Sequence, residues 1–204
     1  MVKPPSMLTV MGHPDDAELW AGGTLARHAE AGAKVTIAVP SHDPVRDAEA
    51  AAGASVLGAS LRLLPELTTS TIAGLLAELS PDVVITHGPR DVHPDHRRAC
   101  RAVLDALPMP VITTGHPQRV YTCDSYNGLS LDGPNAPHTI IDITTTFTTK
   151  MRALTAHRSQ PIDEHFGPMA ETLARLHGGR IGTAYGEAFT PVPVLGRLPA
   201  SDFL

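Results

Sequence analysis

The sequence predicts an α/β protein: a Rossmann-like parallel sheet flanked by helices in a single three-layer domain. Three observations carry that prediction. Short apolar, β-branched runs alternate with alanine-rich stretches of helical period; glycines and prolines fall at the breaks; and polar clusters lie just past two of the strands.

The first strand is MLTVM (7–11), followed by a helix over 18–32 and the strand KVTIAV (34–39). A helix over 45–58, a strand LRLL (61–64), a helix over 71–79 and a strand VVIT (83–86) continue the alternation. A helix over 95–107 and a strand VITT (111–114) complete the βα pattern. Beyond residue 115, VYTC (120–123) and TIIDI (139–143) read as strands around a loop rich in Pro, Gly and Asn, and a helix follows over 146–159. From residue 178 the chain reads as irregular coil lying on the domain, which is taken to span 1–204.

Composition narrows the function. Hydrophobic residues make up 42% and charged residues 18%, the balance of a folded domain rather than a disordered chain. The formal charge of −5, with sixteen Lys and Arg spread along the chain, offers no footprint for nucleic acid and suits a small, roughly neutral ligand. Cys100 and Cys123 form no CxxC pattern, so neither a disulfide framework nor a thiolate zinc site is expected. No signal peptide and no run of membrane-spanning length is read, and a cytoplasmic protein is expected; a homo-oligomer is compatible with the sequence. Eleven histidines against eight aromatic residues direct attention to metal binding and proton transfer.

The histidines that cluster do so at strand ends. The first strand runs into His13-Pro14-Asp15-Asp16, and the strand at 83–86 is followed by His93-Pro94-Asp95-His96. In a doubly wound sheet of order 3-2-1-4-5 the first and fourth strands are neighbours, and ligands bind in the crevice at their C-terminal ends. The histidines and carboxylates of the two clusters should therefore meet there. That donor set, without thiolates, suits a catalytic zinc with three protein ligands and an open position, and leaves a carboxylate and an imidazole for acid–base work.

GHPDDAELWAGGTL (12–25), THGPRDVHPDH (86–96), MRALTAHRSQ (151–160) and GTAYGEAF (182–189) together resemble the zinc-dependent deacetylases of the LmbE-like or PIG-L family, which act on N-acetylglucosaminyl compounds. The resemblance implies His13, Asp16 and His96 as metal ligands, Asp15 as general base and His93 as the imidazole facing the oxyanion and leaving group. It further implies Asp95 as a carboxylate orienting a histidine, and Arg46 as a contact to substrate hydroxyls; His157, in the late H-x-S-Q segment, is a further candidate substrate contact. Ala17 followed by Glu18 departs from the many members with Glu directly after the aspartates, and VPSHDPVRDAEAA is short where many relatives carry a long loop.

The expected function is a zinc-dependent hydrolase removing an N-acyl group, in the first place acetyl, from an amino sugar, glycoside, nucleoside or natural-product intermediate. Another divalent transition metal would accept the same ligands. The alternatives are an amidase for a larger acyl amide such as a thiol-sugar conjugate, and a non-enzymatic sugar-binding module. Competing structural readings stand beside these. Asp15 or Asp16 could cap the helix, and His157 could offset a helix dipole. Gly22-Gly23 lacks dinucleotide spacing. His28, His116, His138, His165 and His177 have no partner pattern and are expected at the surface, and Tyr185 and Glu187 to pack the tail.

Overall fold

The computed structural model describes residues 4–199. β1 (Met7–Val10) is buried along its whole length at the middle of the sheet, and its side chains alternate between two cores. Leu8 and Val10 face one cluster with Val84, Ile72, Leu76 and Val103; Met7 and Met11 face the other with Ile37, Leu25, Ile85 and Leu154. Burying each such side chain contributes roughly 1.5–3 kcal/mol. These two cores define the three layers.

α1 (Asp16–Glu30), β2 (Val35–Pro40), α2 (Pro44–Leu57), β3 (Ser60–Leu64), α3 (Thr69–Leu79), β4 (Val83–Thr86) and α4 (Pro94–Ala106) follow in the predicted alternation. α2 starts sharply because Asp43 accepts Val45 N–H at 2.9 Å and Arg46 N–H at 3.0 Å, with Pro44 in the first turn. This cap sets where Arg46 emerges. β1 pairs in parallel with both β2 and β4, so the crevice between the first and fourth strands is where the sequence places it.

The second half departs from expectation. Residues 111–114 are not a strand but belong to α5 (Pro108–Thr114): Pro108 opens the helix, and the hydroxyls of Thr113 and Thr114 bond back to Met109 and Pro110 carbonyls at 2.9 and 2.7 Å. The neighbour of β4 is instead β5 (Arg119–Cys123). After a small hairpin, β6 (Leu129–Ser130) with β7 (Gly133–Pro134), come β8 (Thr139–Asp142) and α6 (Phe147–Leu154), which stops short of residue 159. α7 (Gly167–Ile181) was not foreseen. Nor is the tail coil: β9 (Gly186–Val192) enters antiparallel between β5 and β8, giving the order β3-β2-β1-β4-β5-β9-β8. Among the described residues no helix is long and apolar enough to cross a membrane.

β9 also carries a polar bolt. Glu187 accepts the N–H of Gly23 at 2.9 Å and of Thr24 at 2.7 Å and pairs with Lys150 at 2.6 Å, while Lys150 donates to the Leu19 carbonyl at 2.8 Å. Both side chains are buried. Glu187 therefore does more than pack the tail. Gly22 and Gly23 serve the same junction: a Cβ at Gly23 would sit 2.7 Å from Ile143, and one at Gly22 3.2 Å from Lys150. Close packing, not a nucleotide, is what those glycines permit.

Candidate active site

The turn after β1 and the first residues of α1 place His13, Asp15 and Asp16; the loop after β4 and the start of α4 place His87, Asp91, His93, Asp95 and His96. Asp16 is the hub. Its Oδ2 accepts the His13 backbone N–H at 2.7 Å and lies 3.1 Å from His13 Nδ1 and 3.2 Å from His87 Nε2, and its Oδ1 lies 3.3 Å from His96 Nε2. Trp20 Nε1 donates to Oδ1 at 3.2 Å. Burial raises its pKa, but His87, His96 and the bond from His13 outweigh that and hold Asp16 well below the usual carboxylate range. It is an anion with nitrogen donors gathered round it.

The structure thus brings together the three residues expected as ligands, and their chemistry fits a borderline divalent cation. His96 is completely buried, yet neither ring nitrogen has an in-line hydrogen-bond partner among the described residues. An orphaned imidazole beside a carboxylate is costly unless something occupies the space between them. Two close triads of donor atoms, His13/His93/His96 and Asp16/His87/His96, share His96. Burial lowers the basicity of His96, but Asp16 and Asp91 overcome it and push it up to about 9, so a cation binding there displaces a proton.

Asp15 is the N-cap residue of α1, yet its side chain caps nothing. The carboxylate turns instead to Arg46, whose Nη2 donates to Oδ1 at 2.9 Å. Burial and then the adjoining Asp16 raise its pKa against the pull of His157 and Arg46, which leaves a carboxylate more basic than usual. Arg46, expected to reach substrate hydroxyls, here holds Asp15. The expectation for His157 also changes: it is completely buried, 3.7 Å from Glu18 Oε2, and so lies behind the site rather than on its open face. Gly53 makes room for this pair, since a Cβ there would collide with Glu18 Oε1 and lie 3.0 Å from His157 Nε2. Gly53→Ala is expected to destabilise the fold by about 1–3 kcal/mol; an unchanged denaturant midpoint would refute this reading of Gly53.

His93 is the N-cap of α4, its Nδ1 accepting the Asp95 N–H at 3.2 Å. That assigns the proton of the neutral ring to Nε2. Burial, then His13 and His96, lower its pKa, so the ring is a neutral donor near neutral pH. Asp95 is partly exposed, bonded to Arg98, and 3.5 Å from His13 Nε2. The carboxylate facing His96 is Asp91, with Oδ2 3.1 Å from Nδ1. Sequence reasoning assigned no role to Asp91 or His87, although both lie inside the quoted 86–96 motif. His177 is also misplaced by it: far from the surface, it is buried against Asp124 at 2.7 Å.

Residues 8–107, which hold both histidine clusters and Arg46, match the PIG-L family, described as GlcNAc-PI de-N-acetylase. Residues 8–107 are a PIG-L family domain. Among curated proteins, a 1D-myo-inositol 2-acetamido-2-deoxy-alpha-D-glucopyranoside deacetylase of Actinosynnema mirum is 51% identical over 37 residues, which are 18% of this chain and 13% of that protein. The match thus spans only a small part of the relative's length. Among solved structures, N,N'-diacetylchitobiose deacetylase from Pyrococcus horikoshii superposes with a TM-score of 0.75 at 22% identity, covering 94% of this chain and 85% of the other. GalB, the 4-carboxy-2-hydroxymuconate hydratase of Pseudomonas putida KT2440, superposes with 0.74 at 19% identity, covering 92% and 95%. At these identities the likeness is one of fold, and the fold is shared by different chemistries.

Proposed function

We propose that this PIG-L protein is a metal-dependent N-deacetylase that releases acetate from an acetamido sugar or a glycoside bearing one, with zinc as its metal. The observation that carries the proposal is the meeting of His13, Asp16 and His96 with a spare carboxylate, Asp15, and a spare neutral imidazole, His93. A binding module has no use for the last two beside a complete ligand set. The family match and the acetamido-sugar deacetylase relative favour an amide substrate over the hydration that the same fold supports in GalB.

His13, Asp16 and His96 would hold the ion, which when bound supplies a Lewis acid for the amide carbonyl and an acidified water. Asp15, buried and held by Arg46, takes the proton of the attacking water. His93 presents its Nε2–H to the oxygen that becomes negative as the carbonyl carbon turns tetrahedral. The proton held on Asp15 then passes to the departing nitrogen, so that water and amide give acetate and a free amine.

Acetate release across a panel of N-acetylated amino sugars and glycosides is the test. Release is expected from at least one, to disappear after chelation, and to return with Zn2+. Release of only long or branched acyl groups would replace deacetylase by a broader amidase, the reading that the short loop after β2 motivates. Intact substrates bound at full zinc occupancy without product would make the protein a binding module.

A further inference from the structure

We propose that Asp91 is the positioning residue of this site: one buried carboxylate that aims the imidazole of His96 and fixes the backbone that presents His93. The inference rests on the reading of His96 as a metal ligand.

Asp91 Oδ1 accepts the backbone N–H of His93 at 2.8 Å, a local turn closed by an aspartate on the residue two places on. That turn delivers His93 to the N-cap of α4. The other oxygen, Oδ2, lies 3.1 Å from His96 Nδ1 in a bent contact. The loop is itself anchored, because Arg97 Nη1 donates to the Asp91 carbonyl at 2.6 Å and Asp91 bridges to Ser130 of the β6–β7 hairpin. The spacing D-x-H-x-x-H is what lets one side chain serve both histidines.

The ring of His96 has two further constraints. His87 stacks on it at 3.7 Å with planes 7° apart, and Tyr126 stacks at 5.5 Å and 12°. Stacking fixes the plane of the ring but not which nitrogen carries the proton. A carboxylate at Nδ1 decides that: it keeps the proton on Nδ1 and leaves the Nε2 lone pair toward Asp16, the tautomer a metal ligand requires. Asp95 cannot substitute, being partly exposed, bonded to Arg98 and turned to His13. Asp91 and Ser125 also line a cavity of about 120 Å³ together with Thr122, Asp124 and Asn135.

The two roles separate by substitution. Asp91→Asn keeps an oxygen for the His93 N–H but turns an NH2 toward His96 Nδ1, favouring the wrong tautomer. Zn2+ affinity, measured by competition with a chromophoric chelator, is expected to fall about 10–100-fold, with kcat at saturating zinc and KM much less affected. Asp91→Ala removes the turn as well, and kcat is expected to fall even at saturating zinc with KM unchanged. Asp105→Asn, at an exposed aspartate paired with Arg101 on α4, should leave zinc affinity near the parent value. The apo-protein melting temperature of each variant monitors folding; if Asp91→Ala fails to fold, the Asn variant still decides. Parent-like zinc affinity in Asp91→Asn, while His96→Ala abolishes binding, overturns the inference alone. Retained affinity in His96→Ala overturns the ligand reading beneath it.

Discussion

Replacing Asp15 by Asn is expected to lower kcat by about 10²–10⁴-fold while zinc content and affinity stay near the parent values. The size follows from the environment of the carboxylate. It is buried, raised in pKa by that burial and by Asp16, and held at one oxygen by the Arg46 guanidinium. The amide isostere keeps shape and the contact to Arg46 but has no basic oxygen for a proton. It is also not one of the atoms clustered on His96, so the donor set is spared. Metal analysis of the purified variant beside single-turnover kinetics makes the distinction. A parent-like rate removes Asp15 from the reaction, and loss of zinc would recast it as a ligand.

Lys150→Met is expected to cost about 3–5 kcal/mol of stability, the usual range for breaking a buried ion pair from one side. The variant leaves Glu187 buried with two backbone donors but no cation, and leaves the Leu19 carbonyl without its donor. Equilibrium denaturation measures the loss. The double variant Lys150→Met with Glu187→Gln should lose less than the sum of the singles, because the charge stranded by the first substitution is removed by the second. A loss below about 1 kcal/mol for Lys150→Met, the scale of an exposed pair, would mean that water reaches the junction.

The contrast between the two halves of the chain shows what a sequence displays and what it hides. Up to residue 107 the local pattern and the tertiary role agree: β1 alternates between two cores, α2 begins at Asp43-Pro44, and the two histidine clusters follow adjacent strands. Beyond it they diverge. Val111-Ile112-Thr113-Thr114 has the residues of a strand, yet a proline start and two back-bonding threonines make it helical. Gly186–Val192 has a glutamate inside and a proline near its end, nothing like an apolar run, because its buried glutamate is matched by a lysine on a helix thirty-seven residues away. The site shows the same division. Residue types and topology announce the meeting of the two clusters, and the resemblance picks His13, Asp16 and His96 out of them, whereas the choice between Asp91 and Asp95 as the partner of His96 depends on which way a loop turns. Arg46 and His157 were legible as members of the site's surroundings but not as groups turned inward, toward Asp15 and Glu18.

The position of β9 has a consequence for how the protein is made. Among the described residues β8 has β9 as its only sheet partner, and the mid-helix amides that Glu187 receives belong to the helix that begins at Asp16. The groups of the candidate site lie nearly all in the first hundred residues, but the helix that begins at Asp16 is bolted at its middle by Glu187, 164 residues after Gly23. A ribosome-bound chain would thus hold these residues long before it could arrange them, and the arrival of β9, rather than the appearance of the motif, sets the moment at which the site comes into being.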